Sequence, residues 1–284
     1  MEKREFKKAV TIFIDILGTR DKSEFDEWYN IASIFHDTVE REKKLDNSHT
    51  NAIYKREVHM FSDCAYIIYD YKDDIEEEKK DMNALMAIAC YNTEKVLYEF
   101  LKNGFIARGA LTYGDIYYEV DRNICFGPAM NRAYDLESHE AKVPRVIIDP
   151  QYVEELLKYN NENYRAIDKP KSSNGEIIKK DVDGFYYIHY LNTMSLGMRQ
   201  MDDNEVIDKI TKLCESEIAK KRETKELEES IKNKYDWLKN YINNSRYNGL
   251  RYGEFDINNP QMMKQRKETE LRQVREYKRM LNIE

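Results

Sequence analysis

Two carboxylates stand where they could hold a metal ion together. Asp15 interrupts a near-continuous apolar run, Ala9–Leu17, close to its end. Asp63 lies in the two-residue junction between two β-rich runs, Tyr54–Phe61 and Cys64–Tyr69. The apolar run predicts a strand buried on both faces, where an ionised carboxylate is costly unless it is paired or bound to metal. The two-residue junction predicts a tight hairpin with Asp63 at its tip.

The order of the elements indicates whether these carboxylates meet. A strand, a helix, two strands, a helix and a strand follow each other, which predicts a ferredoxin-like or palm-type α+β sheet. In such a sheet the end of the first strand lies beside the tip of the following hairpin. Adjacent carboxylates repel unless a cation lies between them, and magnesium binds one or two carboxylates together with substrate phosphates. A magnesium–nucleotide site is therefore predicted, although Asp15 could instead cap the Gly18–Ser23 turn and Asp63 is an ordinary turn residue.

Apolar periodicity and the positions of glycine and proline predict the other elements. A helix begins after Ser23, and its apolar stripe comprises Phe25, Trp28, Tyr29, Ala32, Phe35 and Val39. The elements predicted after the hairpin are a helix at Met82–Asn103 closed by Gly104, a strand at Phe105–Glu119, a helix at Ala129–His139, a strand at Arg145–Ile148, a short helix after Pro150 and a strand at Phe185–Tyr190. Gly109 and Gly114 in the long strand indicate a bulge or a close backbone approach.

From about Asp202 the pattern changes to amphipathic helices, which predicts an α+β domain over residues 1–200 and a helical C-terminal extension over 201–284. Pro260 opens the last of these helices. Between Lys264 and Arg279 it carries seven basic and three acidic residues. Such a helix could contact nucleic acid, but a solvated face or an intermolecular contact is the favoured interpretation.

Composition narrows the class of protein. The net charge of -7 argues against bulk attraction to nucleic acid or to an anionic membrane. The four cysteines form no CxxC pair, so they predict neither a zinc site nor a disulfide framework. Neither the long apolar segment of a signal peptide nor a stretch long enough to span a membrane is evident, so a soluble cytoplasmic protein is expected.

Three segments resemble the class III nucleotidyl cyclases. They are Phe13–Thr19 (FIDILGT), Phe61–Ala65 (FSDCA) and Phe126–Ser138 (FGPAMNRAYDLES), and they keep that family's order and approximate spacing. The resemblance covers roughly residues 9–150. It implies that Asp15, Asp63 and the backbone carbonyl of Ile16 hold two Mg²⁺ or Mn²⁺ ions, one activating the ribose 3′-hydroxyl and one holding the triphosphate. It also implies that the turn Gly18–Arg20, including Thr19, offers backbone N–H groups to phosphate oxygens.

The resemblance further implies that Asn131 orients the ribose and that the active sites form across a homodimer interface. Asp135 stands at the position of the family's transition-state arginine. Arg132, nearly one helical turn earlier, could replace that arginine or could simply be solvated.

The pair of side chains that reads purines in the family is also missing. His59 stands at the position of the adenine-reading lysine, and Ile124 or Cys125 at the position of its aspartate partner. A pocket lined by these residues cannot make the same hydrogen bonds, which disfavours ATP and GTP.

This combination resembles the bacterial anti-phage Pycsar cyclases, which convert UTP or CTP to the 3′,5′-cyclic monophosphate. The resemblance implies a nucleoside triphosphate substrate and a second messenger read by a separate effector. The sequence does not itself discriminate uracil from cytosine, and UTP is taken as the favoured substrate over CTP. Stable binding to membranes or nucleic acid is not expected. Two alternatives stay open: a cyclase that takes a purine through a different pocket, and an inactive sensor that only binds nucleotide. The two aspartates and Asn131 favour an enzyme, whereas the missing arginine favours a sensor.

Overall fold

The centre of the protein is one mixed sheet. The computed structural model describes residues 4–19, 23–48, 52–164, 177–192, 200–245 and 264. Within them the strands are β1 (Lys7–Ile16), β2 (Tyr54–Phe61), β3 (Cys64–Tyr71), β4 (Ala107–Glu119), β5 (Ile124–Phe126), β6 (Val146–Ile148), β7 (Ile178–Lys180) and β8 (Tyr186–Ile188). Their order across the sheet is β2-β3-β1-β4-β6-β8-β7, and β5 pairs with β4 outside this path. The strands pair antiparallel except for β4 and β6, which run parallel.

Six α-helices accompany the sheet in the described part of the chain. They are α1 (Phe25–Ser48), α2 (Met82–Lys102), α3 (Pro128–His139), α4 (Pro150–Tyr164), α5 (Gln200–Ala219) and α6 (Lys225–Asn244), and a single 3₁₀ turn covers Glu77–Lys79. Asp81 caps α2 by accepting from the N–H groups of Asn83 and Ala84. Gly104 ends it with φ +80, as predicted for a left-handed C′ residue.

The predicted order of elements is confirmed. Strand β1, helix α1, the hairpin β2–β3, helix α2 and strand β4 follow one another, and β2-β3-β1-β4 are neighbours in the sheet. The chain therefore has an α+β fold with a ferredoxin-like half. The helix predicted after Pro150 is present, but with 15 residues it is longer than the short helix expected. The strands β5 and β7 were not predicted, because three residues each are too few to show an alternating pattern.

The two faces of the central strands differ. Ile12, Ile14 and Ile67 belong to the main apolar core, to which α2 also contributes. Side chains alternate along a strand, so Phe13 and Asp15 point to the opposite face, which carries α3. The backbone register places Asp15 opposite Cys64 on one side and Arg108 on the other. Helix α3 therefore covers the face on which the predicted site lies.

Helix α1 buries only part of its predicted apolar stripe. Trp28 and Ala32 of that stripe are partly buried, and Ile31, which the stripe did not include, is fully buried. By contrast, Phe25 and Tyr29 are 75% and 61% exposed. Their rings stack on each other with centroids 5.8 Å apart, as residues four apart on a helix can do. The placement of these two rings in a buried stripe was therefore wrong. The side chains of Phe35 and Val39 lie outside the described residues.

Helix α6 is attached to the far edge of the sheet. Trp237 donates from its indole N–H to Asp181 at 2.8 Å. The Tyr241 hydroxyl lies 2.7 Å from Nδ1 of His189 and accepts from the backbone N–H of Leu191 at 3.0 Å. These contacts join residues on both sides of position 200, where a domain boundary remains a prediction.

Some predicted elements lie outside the described residues. They include Arg20 of the phosphate-binding turn and, apart from Lys264, the last helix after Pro260. Among the helices that are described, none is both long and apolar enough to cross a membrane.

Gly109 allows β4 to approach β1 closely, so Gly109→Ala is expected to destabilise the protein. A Cβ atom at position 109 would collide with the backbone carbonyl oxygen of Phe13, which the paired strands hold in place. Overpacking of this kind costs about 1–3 kcal/mol of unfolding free energy, measurable by urea denaturation. Gly114→Ala on the same strand is the control, because its Cβ would lie 3.4 Å from Cβ of Ala129. An equal loss in both variants would contradict this account.

Candidate active site

The structure brings Asp15 and Asp63 together. The backbone N–H of Ile16 donates to the carbonyl oxygen of Asp63 at 3.0 Å, joining the end of β1 to the tip of the β2–β3 hairpin. Ser62 has φ +54 in this tight turn. The hydroxyl of Thr19, which is buried, donates to Oδ2 of Asp63. The predicted juxtaposition of strand end and hairpin tip is thus present, and Thr19 holds the Asp63 carboxylate in one orientation.

Asp15 has a basic and an acidic neighbour that sequence reasoning missed. Nε of Arg108, on β4, lies 3.3 Å from Oδ2 of Asp15 and also contacts Oε1 of Glu137. Glu137 is 3% exposed and lies on the buried side of α3 with Ala133 and Leu136. An acidic residue at a buried position of an amphipathic helix was the signal that could have identified it.

The surroundings of these carboxylates affect several pKa values. Burial raises the pKa of Asp15, Arg108 lowers it, and the charge of Asp63 raises it again. Burial likewise raises the pKa of Glu137, against the lowering effect of Arg108. The pKa of Cys64 rises to about 11 because of burial and then because of Asp15, Asp63 and Glu137. The site is therefore a region of negative potential that favours a cation.

The donor atoms fit a hard divalent cation bound together with phosphates. Asp15 and Asp63 supply carboxylate oxygens and Ile16 a backbone carbonyl, which are the ligand types of Mg²⁺ and Mn²⁺. Over the residues that the structure describes, no group of three or more His, Cys, Asp or Glu side chains could hold a metal ion alone. Magnesium commonly uses one or two carboxylates and takes its remaining ligands from water and substrate phosphates.

The turn after β1 places Gly18 in a left-handed backbone conformation. Gly18 has φ +79, a region that residues with a Cβ atom adopt only with strain. Gly18 is exposed and Thr19 buried, and both follow directly on the strand that carries Asp15. The predicted phosphate-binding turn is thus beside the carboxylates.

Asn131 is exposed on α3 at the edge of an open depression of 440 Å³. The lining residues are Tyr66, Cys125, Phe126, Gly127, Pro128, Met130 and Asn131. The ring of Tyr66 packs on Phe13 with centroids 4.9 Å apart, and Phe13 shares the sheet face of Asp15. Tyr66 and Phe13 therefore lie between this depression and the carboxylate pair.

Arg132 makes a bidentate ion pair with Asp149. Its Nε and Nη2 donate to the carboxylate at 2.9 and 2.8 Å, and Asp149 is fully buried. The hydroxyl of Thr112 donates to the same carboxylate at 2.7 Å. Thr112 lies four residues along β4 from Arg108, which corresponds to about 13 Å of strand. The guanidinium beside Asp15 is thus that of Arg108, whereas Arg132 is held further along the sheet.

His59, which stands at the position of the family's purine-reading lysine, contacts the residue that precedes Ile124. His59 is 6% exposed, and its Nδ1 is 3.2 Å from Oδ1 of Asn123. Nε2 of His59 is buried and has no hydrogen-bond partner among the described residues. Asn123 has φ +50 and directly precedes Ile124, which begins β5. Asn123 was not identified from the sequence, because its approach to His59 depends on the turn between β4 and β5.

Comparison with known proteins does not assign the chain to a family. No family model matches the chain, and no curated protein matches it. Among solved structures, the chain is similar to the crystal structure of the guanylyl cyclase Cya2, with 9% sequence identity and a TM-score of 0.37. The match covers 65% of this chain and 92% of that one. A likeness this distant carries no argument about the reaction.

Arg132→Ala is expected to reduce stability in a pH-dependent manner. Burial raises the pKa of Asp149, but hydrogen bonds from Arg132 and Thr112 outweigh it and hold the pKa below its ordinary value of 3.8. The resulting stabilisation is present above that value and is lost as the pH falls through the lowered pKa. Because Arg132 is half-exposed, we expect a loss of about 2 kcal/mol at pH 7, shrinking below pH 3.8.

The measurement is urea unfolding at neutral and acidic pH. Arg122→Ala is the matched control, since Arg122 is 59% exposed and pairs with the partly exposed Glu119. A loss in Arg132→Ala that stays constant with pH would show that its pairing with ionised Asp149 is not the cause.

Proposed function

We propose that the protein is a nucleotidyl cyclase that converts a pyrimidine ribonucleoside triphosphate to its 3′,5′-cyclic monophosphate and pyrophosphate. UTP is the favoured substrate over CTP, and the product is a second messenger of anti-phage defence that a separate effector reads. The observation that carries this proposal is the junction of Asp15 and Asp63 through the Ile16–Asp63 hydrogen bond. The negative potential around this pair and the neighbouring Gly18 turn support it.

In this proposal Asp15, Asp63 and the carbonyl of Ile16 hold two Mg²⁺ or Mn²⁺ ions. Bound there, the ions supply Lewis acidity that activates the ribose 3′-hydroxyl and holds the triphosphate. Thr19 orients the Asp63 carboxylate by donating to Oδ2. Arg108 contacts both Asp15 and Glu137 and offsets part of their mutual repulsion, so it lowers the pKa of Asp15 against the raising effect of burial.

Base selection is assigned to the pair His59 and Asn123. An imidazole facing an amide presents a different pattern of donors and acceptors from the lysine and aspartate that the resemblance implies for purine cyclases. The buried Nε2 of His59 offers one hydrogen bond to a base, and a site built for that bond disfavours bases that cannot make it. Ile124 follows Asn123 as the first residue of β5 and is partly buried, and we assign it to the apolar part of the base pocket.

A homodimer with active sites at its interface is part of the proposal. Exposed aromatic side chains on the α3 side support it: Phe61, Phe126 and Tyr134 are 68%, 52% and 51% exposed. Large exposed apolar residues that cluster on one face are typical of association surfaces. Association through this face would bring Asn131 of one protomer towards the carboxylate pair of the other.

One observation favours the alternative of an inactive nucleotide-binding sensor. Arg132, the candidate transition-state arginine, is engaged by the buried Asp149. Arg108 is the cation that lies beside Asp15, but it pairs with the carboxylates themselves. A cyclase that takes a purine through another pocket is the remaining alternative, and the products distinguish all three.

The test is incubation of the protein with each of the four ribonucleoside triphosphates and Mn²⁺, followed by mass spectrometry. Cyclic UMP or cyclic CMP is the expected product. Asp15→Ala and Asp63→Ala should each abolish it, whereas Asp121→Ala, an exposed residue in the turn after β4, should not. A cyclic purine product would exclude the pyrimidine assignment, and binding without any cyclic product would establish the sensor.

His59→Ala should lower kcat/KM for the pyrimidine substrate. Loss of a buried hydrogen bond to the base is expected to cost about tenfold or more, because the edge of the base is then left unpaired. Steady-state kinetics measures the effect, and His139→Ala on the exposed side of α3 is the control. Unchanged selectivity among the four nucleotides would show that His59 does not read the base.

A further inference from the structure

The guanidinium of Arg108 is shared between two carboxylates of the candidate active site. Its Nε lies 2.5 Å from Oε1 of Glu137 and 3.3 Å from Oδ2 of Asp15. Strand register places Arg108 directly opposite Asp15, so its side chain starts beside that carboxylate. The shorter contact nevertheless goes to Glu137, which lies on α3 and not on a neighbouring strand.

The packing of α3 fixes Glu137 in this place. Its side chain is buried, as are those of Ala133 and Leu136 on the same helix. Ser138 donates from its hydroxyl to Oε2 of Glu137 at 3.1 Å. A buried carboxylate that loses its cationic partner is strongly destabilising, so Arg108 is expected to stay with Glu137. The docking of α3 therefore determines where the guanidinium lies.

The two candidate metal ligands keep carboxylate oxygens that no protein group occupies. Asp15 accepts its one side-chain hydrogen bond from Arg108 at Oδ2, and Asp63 accepts one from Thr19, also at Oδ2. Among the described residues, none donates a side-chain hydrogen bond to Oδ1 of either aspartate. Oxygens of this kind are the atoms that a hard divalent cation binds.

An arginine that paired fully with Asp15 would compete with such a cation. Arginine and a carboxylate favour a bidentate pair, in which two N–H groups bind the two oxygens. That pair would occupy both Oδ1 and Oδ2 of Asp15. In the structure only Nε donates to Asp15, and its single N–H is the one that Glu137 also contacts. The contact with Glu137 thus leaves the Asp15 carboxylate open.

We propose that Glu137 is a positioning residue, which keeps Asp15 available to a divalent cation by holding the guanidinium of Arg108 on the α3 side. Glu137 acts through Arg108 and needs no contact with the cation itself. That the cation serves a nucleotide reaction rests on the proposed function. The sharing of Arg108 between two carboxylates does not.

The test is titration of the full chain with Mn²⁺ alone, followed by electron paramagnetic resonance, which distinguishes free from bound ion. Glu137→Gln removes the charge at nearly the same volume, so Arg108 is expected to pair with Asp15 and the Mn²⁺ affinity to fall about tenfold or more. Glu140→Gln is the matched control, since Glu140 is exposed at the end of α3 and should leave binding unchanged. Equal affinity in Glu137→Gln and the wild type would overturn the proposal.

The charge of Glu137 would by itself attract a cation, and two further variants distinguish this effect from positioning. Glu137→Asp keeps the charge but shortens the side chain by one methylene. Positioning predicts a loss similar to that of Glu137→Gln, whereas charge alone predicts the affinity of the wild type. Arg108→Gln should raise the Mn²⁺ affinity far more in the Glu137→Gln background than in the wild type, because only there does the guanidinium pair fully with Asp15. Equal effects in the two backgrounds would contradict positioning.

Thermal unfolding of the same variants separates positioning from a structural role. Glu137→Gln removes one partner of a buried ion pair and is expected to lower stability, whereas the double variant with Arg108→Gln removes both partners and should regain part of it. Positioning predicts that the double variant regains Mn²⁺ affinity as well. Regained stability without regained affinity would assign Glu137 a structural role alone and overturn the proposal.

Failure of the proposed function would give a different result. A wild type that forms no cyclic product, yet binds Mn²⁺ in a manner that depends on Glu137 and Arg108, would exclude the cyclase and retain this inference. A cyclase whose Mn²⁺ affinity is insensitive to Glu137 would do the reverse.

Discussion

The pairing of β1 with β3 and β4 is the constraint on which the candidate site depends. Its register places Asp15 opposite Cys64 and Arg108, and it ends with the Ile16 N–H bound to the Asp63 carbonyl. A shift of the register by one residue would turn Asp15 into the apolar core and would turn a core isoleucine to the face that carries α3. The burial of Ile12, Ile14 and Ile16 opposes such a shift strongly. The carboxylate is thus positioned by the apolar residues that alternate with it.

The candidate active site holds several carboxylates, and the fold must offset their mutual repulsion. Glu137 and Asp15 are both partly or wholly removed from water, and Arg108 contacts the two of them. Thr19 satisfies one oxygen of Asp63. Without these neighbours, mutual repulsion of the carboxylates would oppose the docking of α3 on the sheet. The repulsion that remains between the carboxylates is one that a bound cation would relieve, and it is concentrated where β1, the β2–β3 hairpin and α3 meet.

Sequence reasoning predicted the parts of the fold that are encoded locally. The apolar run with Asp15, the two-residue hairpin with Asp63 and the close approach at Gly109 each have a signal within a few residues, and the structure has all three features. The neighbours of the carboxylates were not predictable in this manner. Arg108 reaches Asp15 through strand register, and Glu137 reaches it through the docking of α3.

Long-range packing also explains the other residues that were missed. Asn123 meets His59 only because the β4–β5 turn approaches β2, and α6 meets the sheet edge through Trp237 and Tyr241, which are far from that edge in sequence. Arg132 is the opposite case. Its spacing from Asn131 suggested a catalytic role, but in the structure its guanidinium pairs with the buried carboxylate of Asp149.

The attachment of α6 also bears on how the protein is made. A ribosome releases the chain from its N-terminus, so the strands that carry Asp15 and Asp63 emerge long before the helix that packs on them. The bonds from Asp181, His189 and Leu191 to Trp237 and Tyr241 form only after that late segment has been synthesised. Leu238, Tyr241 and Ile242 of this helix belong to the main apolar core, so the core is incomplete until the helix has been synthesised. Synthesis of this helix is therefore expected to precede the final folding of the sheet edge that it covers.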